Sequence, residues 1–440
     1  MRVINWADLD VGARTALVAR EATARAMFDP ALGEQIKSLV DDVAARGDQA
    51  VIDTTKRFDG VTLDPGSLLL GSAEIAAGAD QTSPEVKEAI AVAIRSSRAF
   101  NEAAAPEREW RKTMSEGYEV GEKITPITSV GLFVPAGKGS FPSVLIQIGT
   151  PAAVAGVAQQ LVIVPPDPAT GLPDPAVLEV ARQLDITQLL CANGPAGVAA
   201  AALGTESIPQ VVKVVGPGSP PVSAAMLECQ RRGCVTQMVL GPTESVIVAD
   251  RSADLDRLAA DLLNEAEHGP DSSAFLISAD ADLVQPLSER VEARLADLPA
   301  QRAEWARIAI TENGGVIVVA DLAEAAALVD EIAPEHVQLA VADPEALLRL
   351  ISHAGEVLLG QGASFSLANY TVGVPASLPT GRFARVSSGI TVETFLKRTS
   401  VAKLTDAAAE TVAEAALKLA EHEDFPAHAA ALRARRGSTS

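Results

Sequence analysis

The 440-residue chain has only five histidines: His268, His336, His353, His422 and His428. Three of them have a carboxylate close by in sequence. Glu265 and His268 are spaced i, i+3 near the end of a predicted helix, Asp254–His268. That spacing puts both side chains on one face, where they could share a metal ion. Gly269 and Pro270 stop the helix at once and leave that face beside a loop. Glu335 and His336 follow Pro334, and an adjacent carboxylate and imidazole suit general acid–base work. Glu423 and His428 flank Pro426 near the chain's end. All three pairs are also compatible with ordinary solvated surface positions.

The elements that must position these residues change character along the chain. The first 115 residues read as mostly helical: Leu32, Ile36, Leu39, Val40 and Val43 recur at helical spacing, and Gly47 stands where a cap belongs. Residues 101–117 are polar and predict a helix or a connector. From about residue 127, short apolar runs alternate with helical stretches. Predicted strands are Val130–Pro135, Leu161–Val164, Leu189–Ala192 and Val211–Val215, then Ser245–Ala249, Ala274–Ile277 and Val316–Ala320. Such alternation predicts parallel sheets with helices on both faces. Two series predict an α/β protein of two doubly wound, Rossmann-like sheets, with a helical N-terminal segment and a small C-terminal tail domain. The expected divisions are a helical segment over 1–125 packing on the second sheet unit, sheet units over 126–236 and 237–380, and a dimerisation tail over 381–440. Open parallel sheets bind ligands at the carboxyl ends of their strands. This rule points to four Gly/Pro-rich loops: Pro135–Gly139, Gly216–Ser219, Gly241–Glu244 and Gly360–Gly362. None is a GxGxxG fingerprint or a P-loop.

Composition excludes several function classes. Acidic residues outnumber basic ones by 57 to 36, a formal charge of −21 that disfavours nucleic acid and anionic membranes as partners. Apolar residues make up 48% and support a large core, and with only 3% aromatics that core is aliphatic. No run is apolar for long enough to span a membrane, and no leader pattern opens the chain, so a cytoplasmic location is expected. Cys191, Cys229 and Cys234 are too few for a disulfide framework and read as core thiols.

Taken together, the motifs resemble the histidinol dehydrogenase family. The resemblance rests on Lys56-Arg-Phe-Asp-Gly60, Val130-Gly-Leu-Phe-Val-Pro135, Gly204-Thr-Glu-Ser-Ile-Pro209, Val215-Gly-Pro-Gly218 and Ala266-Glu-His-Gly-Pro-Asp271. Pro334-Glu-His336, Leu378-Pro-Thr380, Phe395-Leu-Lys-Arg-Thr-Ser400 and Ala427-His428 continue it. It implies a homodimer whose tail reaches into the partner's site, one zinc ion, and oxidation of an amino alcohol through an aldehyde with NAD. It implies His336 as the base for the alcohol and Glu335 as the residue that activates water. Glu265, His268, Asn369 and His428 would hold zinc. Thr243, Ala376 and Glu423 would face substrate, and Phe133, Ala196 and Ser219 would stand at the NAD positions.

The chain also departs from that pattern. The family has Gln at Glu265 and Asp at Asn369, a reciprocal exchange that keeps one carboxylate and one amide among the zinc donors. The loop Val372-Gly-Val-Pro-Ala-Ser-Leu-Pro-Thr380 replaces the family's Asn and His with Pro375 and Ala376. An imidazole-bearing substrate would lose its polar partner there. Phe133, Ala196 and Ser219 replace Tyr, Gln and Asn. Lys138 stands where a small hydroxyl residue is usual, and a cation there could meet an anionic group of the substrate or cofactor. The expectation is therefore zinc- and NAD-dependent oxidation of a small polar alcohol other than histidinol. The alternatives are a divergent histidinol dehydrogenase and a non-catalytic binding homologue.

Overall fold

The computed structural model describes residues 1–19, 29–136, 139–237 and 241–435. Lys138 and Leu240 lie outside the described residues. Met1–Ala104 and Thr128–Thr394 form one unit, and Ala105–Ile127 with Phe395–Ser440 forms a second.

The larger unit contains the two sheets. The first is built from β2 (Leu69–Leu70), β5 (Ser129–Phe133), β6 (Gln159–Val164), β7 (Gln188–Cys191), β8 (Lys213–Val215) and β9 (Val235–Thr236). Their spatial order is β2-β7-β6-β5-β8-β9, parallel except for the edge strand β2. The second sheet contains β1 (Val3–Asn5), β10 (Glu244–Ala249), β11 (Ser273–Ser278), β12 (Gly315–Val318), β13 (His336–Ala340) and β14 (Glu356–Leu359). It is wholly parallel, in the order β1-β12-β11-β10-β13-β14. Each order reverses beside a central strand, at β5/β8 and at β10/β13, which is the doubly wound arrangement.

The central strands are mostly apolar because both faces are covered. In the second sheet, Ile247, Leu276, Val316, Ala340 and Leu358 pack against the helices Leu255–Ala266, Val284–Asp297 and Ala300–Thr311. Their neighbours Val246, Phe275, Ile317 and Leu339 point the other way and meet the helix Leu322–Ile332. Period-two alternation thus divides one apolar run between two cores. In the first sheet, Phe133, Leu161, Ile163 and Leu190 pack with Ile36, Val40, Val43 and Val51 of two N-terminal helices, Pro30–Arg46 and Asp48–Asp59.

The N-terminal segment divides between the sheets instead of packing on the second alone. β1 joins the second sheet beside β12, and Trp6 and Val18 pack in that sheet's core, whereas β2 and the two helices just named join the first. Burial pushes the Cys191 and Cys229 thiols up to about 12 and Cys234 to about 11. All three are free and inert as nucleophiles at neutral pH.

The smaller unit holds an antiparallel sheet of β3 (Glu109–Ser115), β4 (Tyr118–Pro126) and β15 (Leu396–Leu404), ordered β15-β4-β3. Residues 101–117 are therefore the end of the helix Pro84–Ala104 followed by a strand, not one helix. Every residue of β3 is exposed, so no apolar alternation marks it. The helices Asp406–His422 and Pro426–Arg433 follow β15 and pack through Leu417, Ala420 and Ala429. No helix among the described residues is long and apolar enough to cross a membrane.

One glycine ties the second sheet to the residues with chemistry. A Cβ on Gly355 would lie 2.4 Å from the Glu335 carbonyl oxygen, and the Gly355 N–H donates to the Pro334 carbonyl at 2.9 Å. Gly355→Ala is expected to destabilise the protein by about 1–3 kcal/mol through overpacking, read as a lower denaturation midpoint. An unchanged midpoint would show that this backbone contact is slack.

Candidate functional site

A cavity of about 360 Å³ in the larger unit gathers most of the sequence candidates. Ser219, Thr243, Glu265, His268, Glu335, His336, Asn369 and Ala376 all line it. On one side are loops at the carboxyl ends of β5 and β8, including Pro135, Ala136, Pro217 and Gly218. These loops flank the switch point of the first sheet, as expected. The second sheet contributes its amino ends. Thr243 precedes β10, and Glu335 and His336 open β13. The loop Gly360–Gly362 lies at the opposite, carboxyl end of that sheet, where Gln361 binds the backbone of Asp254. It does not line the cavity, so the carboxyl-end rule fails for the second sheet. Gly241–Glu244 reaches the cavity by preceding a strand rather than following one.

The crossover helix Leu255–Ala266 explains how Glu265 arrives there. Asp254 caps it at the carboxyl end of β10, accepting from the N–H groups of Asp256 and Arg257. Its 12 residues return about 18 Å at 1.5 Å per residue. The six-residue β10 is about 20 Å long. The last helical turn therefore ends level with the strand's start. Glu265 is 1% exposed at that end. Its Oε2 lies 3.5 Å from His268 Nδ1, and its Oε1 accepts from Asn369 Nδ2 at 2.7 Å. Asn369 sits in a π turn, Ala368–Val372, a local widening often found at functional sites. These three metal candidates converge. Among the described residues no group of three His, Cys, Asp or Glu side chains is arranged to hold a metal ion; the third member here is an amide.

His336 is 2% exposed and Glu335 8%. The His336 ring stands edge-on to Phe365, with centroids 5.7 Å apart. Its Nδ1 is 2.5 Å from Glu356 Oε1, and its Nε2 is 3.6 Å from Glu335 Oε1. Glu335 Oε2 accepts the Glu244 N–H at 3.2 Å. Burial disfavours the charged imidazole, but the carboxylates of Glu335, Glu265 and Glu356 outweigh it and hold His336 well above the usual histidine value. The folded value is raised, so ring protonation stabilises the fold below the ordinary value and that contribution fades as pH rises through the folded one. An NMR titration of the ring is expected to give a midpoint above the ordinary histidine range, and a lower one in Glu335→Gln. Equal midpoints in the two proteins would refute the electrostatic cause.

Other candidates lie elsewhere. Phe133 and Ala196 are 2% and 0% exposed and belong to the first sheet's core, so neither side chain is presented to a ligand. Among these three cofactor positions only Ser219 is exposed, just ahead of the helix Pro220–Gln230. Glu423 and His428 belong to the smaller unit. Glu423 ends the helix Asp406–His422, and the exposed His428 ring lies 5.1 Å from that of Phe425. Sequence reasoning missed Glu356, Glu244 and Phe365. Gln147 was also missed; its Oε1 holds the Ala376 N–H at 3.2 Å and so fixes the altered loop.

Comparison with known proteins shows the family of this chain. A family model described as histidinol dehydrogenase matches residues 23–436. The chain is 41% identical over 406 residues to a histidinol dehydrogenase of Cereibacter sphaeroides, covering 92% of each protein. It is 36% identical over 422 residues to "histidinol dehydrogenase homolog 2" of Mesorhizobium japonicum, covering 96% of this chain and 94% of that one. Its structure is similar to the crystal structure of histidinol dehydrogenase from Elizabethkingia anophelis, with a TM-score of 0.92 and 30% identity over 99% of this chain and 98% of the other.

Proposed function

The chain belongs to the histidinol dehydrogenase family of oxidoreductases, and from that premise we propose that it oxidises a small polar alcohol other than histidinol, using zinc and NAD. The observation that carries this reading is the single cavity holding Glu335, His336, Glu265, His268 and Asn369 beside a loop whose family imidazole-binding position is Ala376.

The residues fit a zinc ion. Glu265 supplies a carboxylate, His268 an imidazole and Asn369 an amide whose carbonyl a half-turn would present; oxygen and nitrogen donors suit zinc. We place His428 of a second copy of the chain as the fourth ligand and its Glu423 as a substrate contact, in a homodimer that exchanges tails. We assign NAD to the loops at the first sheet's switch point, which include Ser219, and Lys138, outside the described residues, is a candidate partner for an anionic group. Bound zinc would supply Lewis-acid chemistry and a template for the alcohol, and bound NAD would supply the hydride acceptor.

The chain's own residues manage the protons. In its neutral form His336 takes the hydroxyl proton at Nε2, because Nδ1 is engaged by Glu356. Glu335 is 3.6 Å from that nitrogen and is the base for water if oxidation continues from aldehyde to acid. Thr243 and Ala376 line the substrate's share of the cavity. Ala376 offers an imidazole no hydrogen bond, and a polar group left unpaired on binding costs about 1–3 kcal/mol.

The relatives differ in the names they bear. The Cereibacter sphaeroides protein at 41% identity bears the name histidinol dehydrogenase, and this favours the second reading, true histidinol oxidation. The Mesorhizobium japonicum protein is named only a homologue. Complementation separates the two readings. Expressed in a histidine auxotroph lacking its own histidinol dehydrogenase, the chain is expected not to restore growth, whereas the double variant Pro375→Asn, Ala376→His is expected to gain NADH formation from L-histidinol. Growth with the wild-type chain, and two NADH per L-histidinol, would establish the second reading instead.

A further inference from the structure

We propose that Glu356 is a positioning residue for His336: it accepts the proton-bearing Nδ1 and so fixes the ring with its lone pair on Nε2. This rests on the reading of His336 as the base.

Three observations carry it. The first is register. β13 and β14 are parallel, and His336 and Glu356 are directly paired across them. Paired residues in parallel strands point to the same face about 4.8 Å apart, so the backbone alone brings the two side chains together. The Glu356 N–H also donates to the Glu335 carbonyl at 3.0 Å, tying the strand that carries the acid to the one that carries the base.

The second is the contact. Glu356 Oε1 lies 2.5 Å from His336 Nδ1, and both side chains are almost fully buried. An ionised carboxylate only accepts hydrogen bonds, so Nδ1 must hold the hydrogen. A neutral imidazole has one bare nitrogen, which is then Nε2, the atom nearer Glu335. Tautomer control of this kind is what a buried carboxylate supplies to a catalytic histidine.

The third is expense. Glu356 Oε2 is buried with no hydrogen-bond partner, and Leu358, which faces the same side of the same strand, belongs to the apolar core. A carboxylate is costly at such a position. Space-filling would be served better by an aliphatic side chain, so the hydrogen bond to His336 is what the position provides.

The test uses protein labelled with ¹⁵N-histidine, in which His336→Asn identifies the His336 signals among only five histidines. The neutral ring is examined at alkaline pH in the wild type, Glu356→Gln, Glu356→Leu and Glu356→Asp. The expected result is the Nδ1–H form in the wild type, its retention in Glu356→Asp, and loss of the single tautomer in Glu356→Gln and Glu356→Leu. With the alcohol that the wild type oxidises, Glu356→Gln should lower kcat about 10²–10⁴-fold with KM within about threefold, and Glu356→Asp should recover part of that loss. Melting curves confirm that each variant is folded, and a misfolded Leu variant leaves the isosteric Gln variant to decide. An unchanged Nδ1–H form in folded Glu356→Gln, or an Nε2–H form in the wild type, would overturn the proposal. The tautomer measurement needs no turnover, so a protein that oxidises no alcohol yet shows this pattern would sink the dehydrogenase reading and leave the positioning role standing.

Discussion

His336→Asn is expected to lower kcat about 10²–10⁴-fold, the span that one positioned general base contributes, with KM changed little. The ring is nearly sealed, held by Glu356 at Nδ1 and by Phe365 at its edge. Asn keeps a polar group of similar reach but removes the basic nitrogen. Equal losses in kcat and kcat/KM would place the missing interaction in the transition state. A rise in KM with kcat intact would instead make His336 a binding residue and return the proton transfer to Glu335.

The second large effect concerns the metal. Protein purified without chelators or a histidine tag is expected to carry about one zinc per chain, and Glu265→Ala to carry almost none. Glu265 is 1% exposed and touches both His268 and Asn369, so its loss removes the charged donor and the anchor of the other two. A milder variant, Glu265→Gln, should retain part of the metal, because the amide still offers an oxygen. The decisive readout is metal content by mass spectrometry, which does not depend on knowing the substrate. A metal-free wild type would mean that exchanging carboxylate and amide between Glu265 and Asn369 has abolished the site.

Sequence made the strand and helix series legible because parallel strands buried on both faces leave apolar runs, and crossover helices leave period-3.6 stripes. It made the Glu265/His268 and Glu335/His336 pairs legible because each is local. It did not reveal Glu356, because the pairing with His336 depends on which strands become neighbours. The one local signal was a charged residue opening an otherwise apolar strand, Glu356-Val-Leu-Leu359. It misplaced Gly360–Gly362, because the rule for carboxyl ends holds for the first sheet while the second meets the cavity with its amino ends. It missed β3, where an exposed strand rich in charge has no alternation to read. It also assigned cofactor contacts to Phe133 and Ala196 by position alone, and both are core residues once the first sheet is packed.

The most direct test of the central claim is NADH formation by the zinc-loaded wild-type protein. It should be offered NAD with amino alcohols, diols and hydroxy acids, and with L-histidinol in parallel. The account predicts NADH from at least one small alcohol of the panel, with kcat/KM above that for L-histidinol. L-histidinol as the best substrate would contradict the reading of the Ala376 loop, and no NADH from any of them would leave a binding protein on an enzyme's fold.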